Sequence, residues 1–181
     1  MRKVLKFSFC IFLIASSCKK SLNDAAENNL NASINGMQTK FIVKNASLVR
    51  SVLVDEKRID IGAVSEDGKY ILVLSIIEDM AAGNAITAAD YAVRLFNADD
   101  TLTGIDESIN TKAFVSLGVY TGNELQTDNY IENGTINITE SNEKKLFISG
   151  NFDMVLTSRS GGADYTITNG SFDNVKYSVI N

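Results

Sequence analysis

Histidine is missing from this chain altogether, as are tryptophan and proline, and only two cysteines occur in 181 residues. Without histidine there is no Ser-His-Asp or Cys-His nucleophile system, and no histidine ligand for zinc, copper or haem. Acid–base chemistry is left to carboxylates. Both cysteines, Cys10 and Cys18, fall in the first 18 residues, so everything after them must hold its fold by core packing, with no disulfide. Beyond the first 20 residues there is also no basic cluster, and a nucleic-acid binder would carry one. No nucleic-acid partner is expected.

What is present begins with an oily start. Arg2, Lys3 and Lys6 supply positive charge, Val4 to Ile14 is mostly apolar, and Ala15, Ser16 and Ser17 are small. That is the pattern of a secretory signal, and the run is shorter than the about 20 apolar residues a membrane-spanning helix needs. Cys18 follows directly. The segment Ala15-Ser16-Ser17-Cys18 resembles the end of a bacterial lipoprotein signal, whose cysteine is acylated and becomes the first mature residue. That resemblance implies lipid attachment at Cys18. One acyl chain holds a protein to a bilayer only marginally, and the mature cysteine of this class carries three. The expected organisation is a signal peptide over 1–17, a lipidated Cys18 with a polar, flexible tether over 18–30, and one domain over 31–181. Loss of three basic residues with the signal leaves 14 against 22 acidic ones, a net charge of −8. About 150 residues then remain, which fits one domain able to bury about 68–70% of its unfolded surface.

The body reads as strands and turns. Asn35-Gly36 is a strong hairpin dipeptide. Strands are expected over Phe41–Val43 and Ala46–Val54, and Ile59, Ile61 and Ala63 alternate with polar neighbours. Glu66-Asp67-Gly68-Lys69 supplies a turn. Tyr70 to Ile77 is apolar on both parities, which predicts a strand buried on both faces or a central strand. Thr87 with Asp90 three residues later resembles a helix start, so one short helix is expected near 87–92, then a strand. Lys112 to Tyr120, Gly134 to Thr139 and Lys145 to Leu156 follow as strands, the last with a bend at Gly150. A closing hairpin turns at Asn169-Gly170. Eight to ten short strands predict an all-β fold, an antiparallel sandwich or barrel.

The segments GTINITE (134–140), KKLFISGNFDMVL (144–156) and YTITNGSFDNVKY (165–177) resemble a family of small Bacteroidota lipoproteins of unknown function. The matching positions are Gly134, Ile138, Thr139, Ile148, Ser149, Gly150, Phe152, Thr168, Gly170 and Phe172, over about half the mature chain. The resemblance implies a β-rich extracytoplasmic domain and no particular activity. Lys19 and Lys20 stand where surface-exported relatives often carry acidic residues, which favours the periplasmic face of the outer membrane over the cell surface.

Few residues invite chemistry. The carboxylate pairs Glu78-Asp79, Asp99-Asp100 and Asp106-Glu107 could serve a hydrolase only if two of them converged across a cleft. Asp99, Asp100, Asp106 and Glu107 form a loose candidate set for a calcium-type cation, although the spacing fails the EF-hand pattern, with Thr101, Thr103 and Asn110 at ligand positions. Asp100-Thr101-Leu102 resembles a short O-glycosylation acceptor of Bacteroidota exported proteins, with Thr101 modified. Tyr91, Tyr120 and Tyr130 are candidate ligand-contact aromatics, core packing being the simpler role. No cofactor is implied. The expected partners are the bilayer through acylated Cys18 and a glycan, small ligand or cell-envelope protein. The expectation is a non-enzymatic binding or structural β-module; the alternatives are an apolar-ligand carrier with an internal cavity and a carboxylate-dependent glycan hydrolase.

Overall fold

A computed structural model of the chain describes residues 29–53, 55–93, 111–126, 129–158 and 161–180. Eleven strands form one sheet: β1 (Asn29–Ile34), β2 (Met37–Ser51), β3 (Glu56–Ser65), β4 (Tyr70–Asp79), β5 (Asp90–Ala92), β6 (Thr111–Thr121), β7 (Glu124–Gln126), β8 (Asn129–Asn142), β9 (Phe147–Ser158), β10 (Tyr165–Lys176) and β11 (Ser178–Ile180). The order across the sheet is β5-β8-β9-β10-β1-β2-β3-β4-β6-β7, with β11 on β2. Every pair is antiparallel except β11 with β2. Val93, just past β5, makes a parallel bridge to Ala113 of β6. The first strand of the order therefore meets the ninth, and the sheet curls round until its ends touch. This is a barrel-like arrangement within the expected all-β fold, its two ends meeting at a single bridge.

Alternation explains which face turns inward. Along β4 the even residues Tyr70, Leu72, Leu74, Ile76 and Glu78 are buried and the odd ones half-buried. Although β4 is apolar on both parities and lies between β3 and β6, only one of its faces is fully buried, because among the described residues no second layer is stacked on the outside of the curled sheet. Inward residues of all the long strands join a single cluster, from Leu30 on β1 to Val175 on β10. At about 25 cal/mol per Å² of apolar area, this core is the main stabilising term in a domain without disulfides.

The turns and irregularities repay residue-level reading. Asn35 and Gly36 have φ of 49° and 81°, as a two-residue hairpin loop requires. The two expected strands over 41–54 are one strand, β2, with a register shift between Val43 and Asn45 against β3. No hairpin turns at Asn169-Gly170. Asn169 has φ 51° and sits at a bulge inside the continuous β10, where the register with β9 shifts between Ile167 and Gly170. Its N–H bonds to Asp153 Oδ1 at 2.8 Å instead of turning the chain. Gly170 faces the Phe152 ring, and a Cβ there would run into it; Gly150 faces the Phe172 ring in the same way. The two rings stack with centroids 6.3 Å apart, so these glycines hold space for aromatic packing. The helix expected near 87–92 does not form. Among the described residues the only helical element is a single 3₁₀ turn, Met80–Ala82, and Asp90–Ala92 is strand.

Candidate functional site: a buried ion pair under the 80–89 segment

The barrel has two differently built ends. At one end lie the tight turns at Asn35-Gly36 and Glu66–Lys69. At the other, the chain leaves β4 and crosses ten residues, 80–89, before β5 begins. A segment that passes over an apolar interior brings backbone carbonyls with it, and these need donors.

Lys57 and Glu78 supply the answer. They are directly opposed in the β3–β4 register, and both share the inward parity of their strands. Lys57 is 0% exposed and Glu78 4%. The Lys57 ammonium lies 2.9 Å from Glu78 Oε2 and donates to the carbonyls of Gly83 at 2.8 Å and Ala85 at 2.5 Å. An ammonium has three donors, and all three are used. Between those two carbonyls, the Asn84 carbonyl accepts from Arg50 Nη2 at 2.9 Å. Three consecutive carbonyls are thus held by two cations.

Glu78 is equally occupied. Its Oε2 also accepts the Thr87 N–H at 3.1 Å, and its Oε1 lies 3.2 Å from the Tyr91 hydroxyl. That hydroxyl has one proton to share between Glu78 and the Thr87 carbonyl, 2.7 Å away. Burial alone pushes the Glu78 carboxyl up, but the hydrogen bonds from Thr87 and Lys57 and the Lys57 charge outweigh it and hold the carboxyl below its ordinary value. Burial, then the neighbouring Glu78 charge, pushes the Tyr91 phenol well above its ordinary value. The 80–89 segment also sends the buried Ile86 side chain into the core, and the Ala89 carbonyl accepts from Ile138 N–H of β8 at 2.9 Å.

A second polar group adjoins this network through Arg50. Arg50 Nη2 stands 3.5 Å from Glu143 Oε1, and Arg50 Nε, Ser141 Oγ and Tyr177 Oη are buried with no hydrogen-bond partner among the described residues. Burial and the nearby Glu143 charge push the Tyr177 phenol up.

The candidate residues from the sequence are placed as follows. Tyr91 is fully buried and hydrogen-bonded within the network, packed as a core residue. Tyr120 is 38% exposed on β6. Tyr130 belongs to β8, and its side chain lies outside the described residues, as do Cys18, Asp99, Asp100, Thr101, Asp106 and Glu107. Glu78 and Asp79 take opposite parities of β4, one buried and one half-buried, so this pair does not converge on a cleft. Among the described residues no three His, Cys, Asp or Glu gather as a metal site, and no helix is long and apolar enough to cross a membrane.

Lys57 escaped the sequence reading, yet it carried a signal. It continues the inward series Ile59, Ile61, Ala63 by two residues, and Glu78 continues Leu72, Leu74, Ile76. Opposite charges on the inward parities of adjacent antiparallel strands are a buried pair in waiting.

No curated protein and no solved structure matches the chain. Residues 90–176, which run from the first residue of β5 to the last of β10, match a family model described as Domain of unknown function (DUF6252).

Proposed function

We propose that this chain is a lipid-anchored, extracytoplasmic lipoprotein whose β-domain binds or supports a partner and does no catalysis. The observation that carries the reading is the order of parts along the chain. A charged, then oily, then small-residue segment ends at Cys18, and the sheet domain starts eleven residues later at Asn29. Acylation of Cys18 would hold the domain at the bilayer, in the outer membrane and on its periplasmic face.

A non-catalytic role is supported by how the buried charges are used. Every donor of Lys57 and both oxygens of Glu78 are committed to each other, to the 80–89 segment or to Tyr91. A proton-transfer pair must reach a substrate proton, and this one is sealed. The carrier alternative is disfavoured by the packing of Phe152, Phe172 and Tyr91 in one continuous core. A glycan, a small ligand or a cell-envelope protein remains the partner class, and the acidic balance, −5 for the whole chain, argues against nucleic acid.

The test is fractionation of a bacterial host making the full chain beside Cys18→Ser. The wild type is expected in the membrane fraction and the variant in the soluble envelope fraction or as uncleaved precursor. Equal distribution of the two would refute the anchor.

A further inference from the structure

Three buried donors at the 80–89 end of the barrel have no acceptor among the described residues: Arg50 Nε, Ser141 Oγ and Tyr177 Oη. A buried donor left unmade costs stability, and three in one place call for a cause. Register shows how they meet. Arg50 lies opposite Lys57, and Lys57 opposite Glu78, so these side chains form one polar row on the inward parity of β2, β3 and β4. On the adjoining wall Ser141 pairs with Ile148, and Ile148 with Val175. Both of those partners belong to the core, so Ser141 shares their inward parity. Tyr177 follows Val175 by two residues and is 6% exposed. Arg50 joins the two walls, with Nη2 3.5 Å from Glu143 Oε1. Burial pushes the Tyr177 phenol up, and the other groups it feels are Glu143, Arg50 and the Ser141 hydroxyl, as fits a hydroxyl that faces all three.

We propose that Arg50, Ser141 and Tyr177 form a binding site for the carboxylate of a small organic acid. The inference rests on the reading of the domain as a binding module and does not depend on the lipid anchor. The donor set selects the ligand. All three groups can donate, and the guanidinium is always charged. A water oxygen accepts two hydrogen bonds, whereas a carboxylate offers about four acceptor positions on its two oxygens, enough for every donor of the cluster.

The neighbouring acceptors do not meet that demand. The Asn84 carbonyl is taken by Arg50 Nη2 at 2.9 Å. Glu143 also stands against Nη2 rather than Nε, and its 3.5 Å is longer than the about 2.7–2.9 Å of a charge-assisted bond. Lys57 and Glu78 are committed to each other, to the 80–89 segment and to Tyr91, so neither competes for the ligand. The cluster is reached from solvent beside Arg50 and Glu143, whose side chains are 19% and 47% exposed. Glu143 must move off Arg50 as the acid enters, and its charge opposes an anion. Affinity should therefore be modest, and it should rise when that charge is removed.

The test follows the Arg50 Nε–Hε resonance of the ¹⁵N-labelled full chain, purified in detergent from whichever cell fraction holds it. Arg50→Lys assigns the signal by its loss. Acetate is titrated at neutral pH and matched ionic strength, with acetamide as the uncharged control and inorganic phosphate as the rival anion. The mass of the Cys18 peptide is read on the same samples, so failure of the anchor and failure of the site are seen separately. The proposal expects a saturable shift with acetate and none with acetamide. Tyr177→Phe keeps the ring and should bind acetate about tenfold more weakly, Ser141→Ala should also weaken it, and Glu143→Gln should bind it more tightly. Thermal melts of the variants check that each is folded. The proposal is overturned by a shift that does not saturate, which would leave structural water as the partner of these donors. It is overturned equally by acetamide acting like acetate, by phosphate binding more tightly than acetate, or by unchanged affinity in both Tyr177→Phe and Ser141→Ala.

Discussion

The two ends of the barrel solve one problem in opposite ways. At the Asn35-Gly36 end the strands are joined by short turns that satisfy their own backbone. Ser65 Oγ and the Lys69 N–H both bond to Asp67 Oδ1, at 2.6 and 3.0 Å, and the Tyr70 N–H bonds to Ser65 Oγ at 2.8 Å. At the other end the ten-residue crossing cannot close on itself, so its carbonyls draw on cations from the barrel wall. Lys57 reaches them from inside and Arg50 from the flank. A buried salt bridge is weak support for stability by itself, because desolvation offsets much of the attraction. Here its use is positional: it fixes where a long connection lies over an apolar core.

The comparison can be broken at several places, in descending order of effect. Deleting residues 163–181 removes β10, which pairs with both β9 and β1, and should leave an aggregating product with no cooperative melt. Lys57→Met comes next. It strands Glu78 among apolar groups, and unfolding in urea should show a loss of about 3–5 kcal/mol. The double variant Lys57→Met/Glu78→Leu should recover much of that loss; additive losses would mean that the pair does not act as a unit. Gly170→Ala forces a methyl into the Phe152 ring and should lower stability by about 1–3 kcal/mol. At the tight-turn end, Gly36→Ala acts only through its positive φ, and about 1–2 kcal/mol is expected. A Gly36 loss as large as that of Lys57→Met would erase the distinction between the ends.

The smallest effect is on pH dependence. The folded Glu78 carboxyl lies below its ordinary value of 4.5. Its contribution is therefore fully present above about that pH and is lost as pH falls through the lower folded value. The stability gap between wild type and Glu78→Gln, followed by thermal melts from pH 7 to 3, should narrow toward acid. A gap that widens would reverse the sign of the linkage.

Much of this architecture is legible in the residues, and what was missed has a physical reason. Period-two alternation identified β3, because a sheet with one buried face imposes it, and β4 was identified by its continuous apolar run. Asn35-Gly36 was read correctly and Asn169-Gly170 was not, although both asparagines have φ near 50°. The same left-handed residue serves a turn or a bulge, and only the partner strand decides which. The Thr87–Asp90 spacing imitated a helix cap, but the Thr87 N–H went to Glu78, a residue local reading does not connect with it. The Lys57–Glu78 pair was readable by parity, but only by comparing the inward positions of two strands that pair with each other.

The proposed membrane anchoring depends on Cys18. An intact mass of the membrane-extracted chain should show residues 1–17 gone and Cys18 as an acylated amino terminus. A bare thiol at that position on a membrane-associated chain, or residues 1–17 still attached, would contradict it.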